Sequence, residues 1–189
     1  MDRSLVIVSG APGSGKTTLA APLAARLGLP LFAKDTIKES LHDVLGNPGE
    51  EHAAWSRKLG AAAMELLWRL AADAPACVLE ANFLPGHERQ CGMLRELSAD
   101  GTLVEVYCRC PLEVAAARYA ERDRSAARHG VHHNGFPPEV RHQYSGPLGL
   151  GPVVEVDTTG PTGLDELARL VSQRLVSQRS VSERLGAAD

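Results

Sequence analysis

The sequence predicts an α/β fold, a five-stranded parallel sheet flanked by helices. Three observations predict it. Short apolar runs alternate with amphipathic helical stretches along the 189 residues, the pattern that builds strand–helix–strand crossovers. The first apolar run, Leu5-Val6-Ile7-Val8, is continuous, as expected of a strand buried on both faces. That run passes directly into Gly10-Ala11-Pro12-Gly13-Ser14-Gly15-Lys16-Thr17, which fits G-x-x-x-x-G-K-[ST] and is followed by a helical pattern. The length suits one domain, 1–189, with a full core.

Residues 4–9 form the first strand and 15–27 the first helix, on which Leu19, Leu23 and Leu27 share a face. Gly28 stops that helix, with Pro30 just beyond. Leu31-Phe32-Ala33 is a short second strand. Thr36-Ile37-Lys38-Glu39 has the form of a capping box and opens a second helix to about Leu45. Gly46-Asn47-Pro48-Gly49 is a turn. Residues 50–72 read as helix, with Trp55, Leu59, Leu66, Leu67 and Leu70 on or near one face.

Ala76-Cys77-Val78-Leu79 is a buried-type third strand leading into Glu80, Ala81 and Asn82. Residues 87–97 are helical and 102–107 are the fourth strand. Pro111 suits the first turn of a helix running to about Ala127. Residues 129–152 are rich in Gly, Pro and His and lack an apolar period. Residues 153–156 form the fifth strand and 164–185 the last helix, whose repeated Val-Ser-Gln-Arg units read as a polar extension.

The formal net charge of -3 supplies no general attraction to nucleic acid, though a local basic patch remains compatible with it. No apolar run approaches a membrane span, and Met1-Asp2-Arg3-Ser4 enters the first strand without a secretory signal, so a cytoplasmic location is expected. The four cysteines, Cys77, Cys91, Cys108 and Cys110, form no paired C-x-x-C framework and are expected to be reduced and structural.

The glycine loop carries the chemistry. Its glycines let successive N–H groups turn inward onto phosphate oxygens, and the helix that follows adds the positive end of its dipole. Lys16 would reach the β- and γ-phosphates of a nucleoside triphosphate and the Thr17 hydroxyl would ligate Mg²⁺, with Thr18 completing the nucleotide-binding stretch. Ligands in parallel sheets bind at the carboxyl ends of the strands. That rule gathers Lys34-Asp35, Glu80 to Asn82, Arg109 and Asp157-Thr158 around the same cleft.

These residues together resemble the nucleoside-monophosphate-kinase-like phosphotransferases, P-loop kinases that include chloramphenicol phosphotransferase, zeta toxins and polynucleotide 5′-hydroxyl kinase domains. The similarity rests on residues 10–17, Lys34-Asp35, Glu80-Ala81-Asn82-Phe83 and the arginine-rich stretch 118–128. It implies a P-loop NTPase three-layer sandwich with a helical lid and acceptor segment at about 118–152. It also implies ATP and Mg²⁺, and transfer of the γ-phosphate to an acceptor hydroxyl.

Asp35 is the candidate general base, because an attacking hydroxyl must lose its proton and a cleft carboxylate can take it. Asp35 or Thr36 can equally cap the second helix. Lys38, one turn on, suits an acceptor or phosphate contact or a solvated face. Glu80 stands where P-loop proteins place a metal-holding acid, although as Glu rather than the usual Asp; with Asn82 on the same side it can instead bond acceptor hydroxyls.

Arg118, Arg122, Arg124 and Arg128 crowd one stretch. The resemblance implies that one packs on the adenine or ribose, assigned to Arg118. It implies that another meets the transferring phosphoryl group, assigned to Arg122, and Arg128 is grouped with the acceptor contacts. A solvated face shared with Glu121 and Asp123 is the alternative. His129, His132, His133 and His142 follow without an acid or Cys at regular ligand spacing, so substrate contact, through His132, is expected in preference to metal. Related kinases often end this loop in Gly-His-x-Asp, whereas here Val131-His132-His133-Asn134 lacks the acid. By resemblance Asp157 and Thr158 lie against the adenine.

Three readings follow. The first is a kinase acting on a hydroxyl of a small molecule such as an antibiotic, a nucleoside or a sugar-like metabolite. The second, a polynucleotide 5′-hydroxyl kinase, wants a basic groove with stacking aromatics, and only 4% of the residues are aromatic. The third is a nucleotide-dependent switch with no acceptor. The sequence leaves the acceptor and the oligomeric state open.

Overall fold

The computed structural model describes residues 3–49, 51–125, 129–132, 135–136 and 138–186, with side chains to residue 178. Five parallel strands lie in the order β2-β3-β1-β4-β5: β1 (Arg3–Ser9), β2 (Leu31–Ala33), β3 (Ala76–Glu80), β4 (Gly101–Arg109) and β5 (Val153–Asp157). The central strand is β1, in register with β3 from Ser4↔Ala76 to Val8↔Glu80 and with β4 from Arg3↔Gly101 to Ser9↔Tyr107. Leu5, Val6, Ile7 and Val8 have no exposed surface, which is why that run carries no polar alternation.

Side chains on alternate residues feed two cores. Val6 and Val8 pack with Leu19, Leu23, Leu167 and Val171, from α1 (Lys16–Leu27) and the last helix. Leu5 and Ile7 pack with Leu67, Trp68, Phe83 and Leu94 on the other face, under α3 (His52–Asp73) and α4 (Glu88–Leu97). The remaining elements are α2 (Lys34–Leu45), α5 (Leu112–Asp123), α6 (Pro138–Arg141), a single 3₁₀ turn at His142–Tyr144 and α7 (Leu164–Gly186). Gly28 ends α1 in the left-handed conformation (φ 65), where a side chain would be strained.

Four expectations are corrected. The capping box at Thr36–Glu39 does not form: β2 runs into α2 without a loop, Ala33 is the N-cap, and no side chain caps the helix. Glu39 turns instead to His132. On α3 the buried face is Ser56, Leu59, Ala63, Leu67, Trp68 and Ala71, whereas Leu66 and Leu70 lie 39% and 41% exposed. By helix spacing Leu66 and Leu70 lie beside Leu59 and Ala63, but their surfaces are left partly uncovered there. The helix after Pro111 ends at Asp123, with Pro111 as its N-cap rather than in its first turn. The segment read as loop contains the helical turn Pro138–Arg141 and the 3₁₀ turn. All four cysteines are buried and unbridged. Among the described residues no helix is long and apolar enough to cross a membrane.

Candidate active site

The glycine loop leaves β1 with Gly10, Gly13 and Gly15 all at positive φ (135, 82 and 91). Two of these positions cannot hold a side chain for spatial reasons as well. A Cβ on Gly13 would sit 2.1 Å from the Ala115 carbonyl oxygen of α5, and one on Gly10 would sit 2.7 Å from Ser14 Oγ. The loop is further tied by Ser14 N–H donating to Ala11 O (3.0 Å) and by Thr158 Oγ1 donating to Ser14 O (2.6 Å). Lys16 is buried and its ammonium donates to Ala11 O at 2.9 Å, inside the loop it serves.

A cavity of about 990 Å³ opens along the carboxyl ends of the strands. Its lining includes Pro12, Gly13, Gly15, Lys16, Thr17 and Thr18 from the loop and α1. Asp35 and Lys38 enter it from α2, Glu80 and Asn82 from β3 and beyond, Arg118 and Arg122 from α5, His132 from the following segment, and Thr158 after β5. So residues as far apart in sequence as 16, 35, 80 and 122 share one site. Gly10, Ala11 and Ser14 support the loop from behind without lining the cavity. Arg128 lies outside the described residues, as do His133 and Asn134.

Charge organises the floor. Burial pulls the Lys16 ammonium below its usual pKa, opposed by the negative charges of Glu80 and Asp35. Burial pushes Glu80 up, and Lys16 and a hydrogen bond with Thr17 pull against it. Thr17 and Glu80 thus meet side chain to side chain. Asp35 stands in the first turn of α2, a position the helix dipole favours for an acid. Burial alone would raise its pKa, but Lys34 (3.2 Å away), His132 and Lys16 bring it below the ordinary value, so the carboxylate stays ionised.

The arginines divide their work. Arg118 donates to the carbonyls of Thr158 (2.9 Å) and Thr159 (3.2 Å), tying α5 to the turn after β5. Arg122 lies over the Tyr119 ring, 5.3 Å from its centroid, and its charge is felt at Lys16. Asp157 accepts from Arg109 (2.8 Å), Thr159 N–H (2.9 Å) and Thr159 Oγ1 (2.6 Å), bonds that shape that turn, and it stands outside the cavity lining.

Sequence reasoning missed three groups. Ser56, buried on α3, donates to Val131 O at 2.8 Å, beside the Lys38 ammonium at 3.3 Å; a serine inside an apolar helix stripe was the available signal. Glu39 pairs with His132 (2.8 Å) and Asp43 with His129 (2.9 Å). Tyr119, Phe136 and Tyr144 form an aromatic wall, with Phe136 5.7 Å from Tyr144 and 6.1 Å from Tyr119 between ring centroids. One ligand-type atom each from His42, Asp43 and His129 fall within 4.8 Å of one another. His129 Nδ1 accepts from Val131 N–H (3.1 Å) while Nε2 faces Asp43, so the ring has no lone pair to spare for a cation in this arrangement.

The sequence profile of the AAA-domain family matches residues 5–134, more than half of the chain. The chain belongs to this AAA-domain family. A candidate kinase of solved structure from Chloroflexus aurantiacus J-10-fl is 31% identical, with a TM-score of 0.78 over 93% of this chain and 100% of that one. An adenylyl-sulfate kinase of Klebsiella pneumoniae is 32% identical over 115 residues, 58% of this chain and 54% of that protein. The chain therefore spans about half the length of the curated relatives it matches. A shikimate kinase of Acinetobacter baumannii solved with shikimate shares the fold at 17% identity and TM-score 0.57, covering 93% of this chain and 94% of that one.

Proposed function

We propose that this chain is an ATP-dependent kinase that transfers the γ-phosphoryl group to a hydroxyl of a small molecule. The observation that carries the reading is the ionised Asp35 in the same cavity as the buried Lys16 of the glycine loop. A phosphate-gripping cation and a proton-accepting carboxylate are the two groups that in-line transfer to an alcohol needs. The loop fits a triphosphate, because its left-handed glycines leave backbone N–H groups without side chains in front of them. Lys16 trades its internal bond to Ala11 O for phosphate oxygens.

Asp35 takes the proton of the acceptor hydroxyl as the oxygen–phosphorus bond forms and the bond to the ADP leaving oxygen breaks. Thr17 and Glu80 are suited to hold Mg²⁺, which when bound neutralises charge on the β- and γ-phosphates. Arg122 faces the equatorial oxygens. Arg118 shapes the base-side turn through Thr158 and Thr159. Asn82 offers hydrogen bonds to further polar groups of the acceptor, and Tyr119, Phe136 and Tyr144 supply an apolar wall for its body.

The test is acceptor-stimulated ADP release across sugars, sugar acids, shikimate, nucleosides, adenylyl sulfate and hydroxylated antibiotics, read for the wild type and Asp35→Asn. The reading predicts stimulation by at least one hydroxyl compound, a loss of about 10²–10⁴-fold in Asp35→Asn, and unchanged MgATP binding in the variant. Equal transfer by the variant contradicts it.

A further inference from the structure

We propose that His132 is a positioning residue for Asp35: clasped by Glu39, it holds a strap of residues 129–132 against α2 and so completes the acceptor wall beside that carboxylate. This rests on the reading of Asp35 as the acceptor-activating group. Asp35, Glu39 and Asp43 recur every fourth residue on α2, so they form one stripe along the helix. The strap lies along that stripe. His132 Nε2 meets Glu39 Oε1 at 2.8 Å, and one turn further on His129 Nε2 meets Asp43 Oδ1 at 2.9 Å.

Between the two histidines Val131 has no exposed surface. Its carbonyl accepts from Ser56 Oγ at 2.8 Å and from the buried Lys38 ammonium at 3.3 Å. The strap is thus docked by a buried anchor, gripped from α2 and α3 together and flanked by two imidazole–carboxylate pairs. The His132 side chain is 14% exposed and close enough to Asp35 for each to feel the other's charge. An unpinned strap would leave Asp35 facing an open cleft, and water would compete with the acceptor for the carboxylate.

The charged groups around the pair are Lys34, Lys38 and Glu39 on α2, Lys16 after the glycine loop, Glu80 on β3, Arg122 on α5 and His129 in the strap. Histidine is the side chain among them whose charge changes between acid and neutral pH, and His132 is the one beside Asp35. Burial pulls the His132 imidazole below its ordinary pKa while Asp35 and Glu39 oppose that pull, so it charges only at acid pH, and there its charge helps keep Asp35 ionised. Its removal therefore moves the acid limb of activity to higher pH.

The test has two arms on the full chain. In the first, NMR of ¹³Cε1-labelled histidine follows the His132 titration, assigned through His132→Gln. Both Glu39→Ala and Asp35→Asn are expected to move its midpoint to lower pH, since each removes a carboxylate that favours the cation. A midpoint unmoved in both variants overturns the proposal, with or without any acceptor in hand. In the second arm, using whichever hydroxyl compound stimulates ADP release, His132→Ala is expected to lower kcat/KM for the acceptor about tenfold or more. MgATP affinity should stay within about twofold, the acid limb should rise, and His132→Gln should recover part of the loss. Unchanged kcat/KM and pH profile in His132→Ala overturn it. Should His132→Ala fail to melt cooperatively, Glu39→Ala removes the same contact from the half-exposed partner. If Asp35→Asn transfers phosphate normally, the base assignment fails while the titration still decides the clasp.

Discussion

The Thr17 hydroxyl and the Glu80 carboxylate are hydrogen-bonded, which joins the first turn of α1 to the end of β3. A buried acid whose charge burial disfavours is held there by the Lys16 and Lys34 ammonium groups and the Thr17 hydroxyl. Such a group is poised for a cation and costs the ligand-free fold stability.

The Glu80→Gln variant should therefore move stability and metal binding in opposite directions. Glu80 has its folded pKa above the ordinary 4.5. Between that value and the raised folded value, the folded chain holds more protons than the unfolded one. Stability consequently falls as the pH rises through the window. The variant has no such proton to lose, so its advantage over wild type should widen from acid to neutral pH. A gain of about 2–4 °C at neutral pH corresponds to about 1 kcal/mol in a chain of this size. Mn²⁺ affinity in the presence of ATP, read by electron paramagnetic resonance, should fall about 10–100-fold. Calorimetric scans across pH check the first half; a variant less stable than wild type at neutral pH contradicts it.

Gly13→Ala should destabilise the fold and loosen the nucleotide site together. The position has φ +82 and a Cβ there would meet the Ala115 carbonyl at 2.1 Å, so α5 must move. Left-handed strain alone costs about 1–3 kcal/mol. Gly92, within α4 and with nothing within 4 Å of an added Cβ, is the control. Gly92→Ala should stabilise by about 0.5–1 kcal/mol. Thermal melting of the two variants separates a loop built around glycine from a glycine that merely sits in a helix.

The order of elements was legible in the sequence because it rests on short-range patterns. Leu5 to Val8 announced a central strand, and Gly10 to Thr17 announced the loop that follows. Lys34-Asp35 and Glu80 were legible because strand ends gather at one edge of a parallel sheet. The strap contacts were not legible. Glu39 lies 93 residues from His132 and Ser56 lies 75 from Val131, and no local period encodes such pairs. Thr36 misled for a related reason. Its spacing to Glu39 suits a cap, but β2 had already set the helix start at Lys34, and tertiary partners then claimed Glu39. Arg118, expected among the nucleotide contacts, lines the cavity and also donates to two carbonyls of the turn after β5, contacts that spacing on a helix cannot reveal.

Arg118→Met should weaken MgATP binding while leaving the metal dependence intact. The side chain ties Thr158 and Thr159 to α5, and Thr158 in turn holds the Ser14 carbonyl of the glycine loop. Two hydrogen bonds from a charged donor, each of about 1.5–3 kcal/mol, leave room for about a tenfold loss of affinity. Isothermal titration with MgATP checks this. Arg118→Lys should recover little, because a single ammonium cannot span both carbonyls as the guanidinium fork does.

The most direct measurement is calorimetric titration of the full chain with MgATP, wild type against Lys16→Ala. Backbone N–H groups of residues 10–17 and the Lys16 ammonium are predicted to give saturable binding in the wild type. Loss of the cation, charge-assisted on phosphate, should weaken it about 10²-fold or more. Absence of heat with the wild type, or the same isotherm from both proteins, would contradict the account.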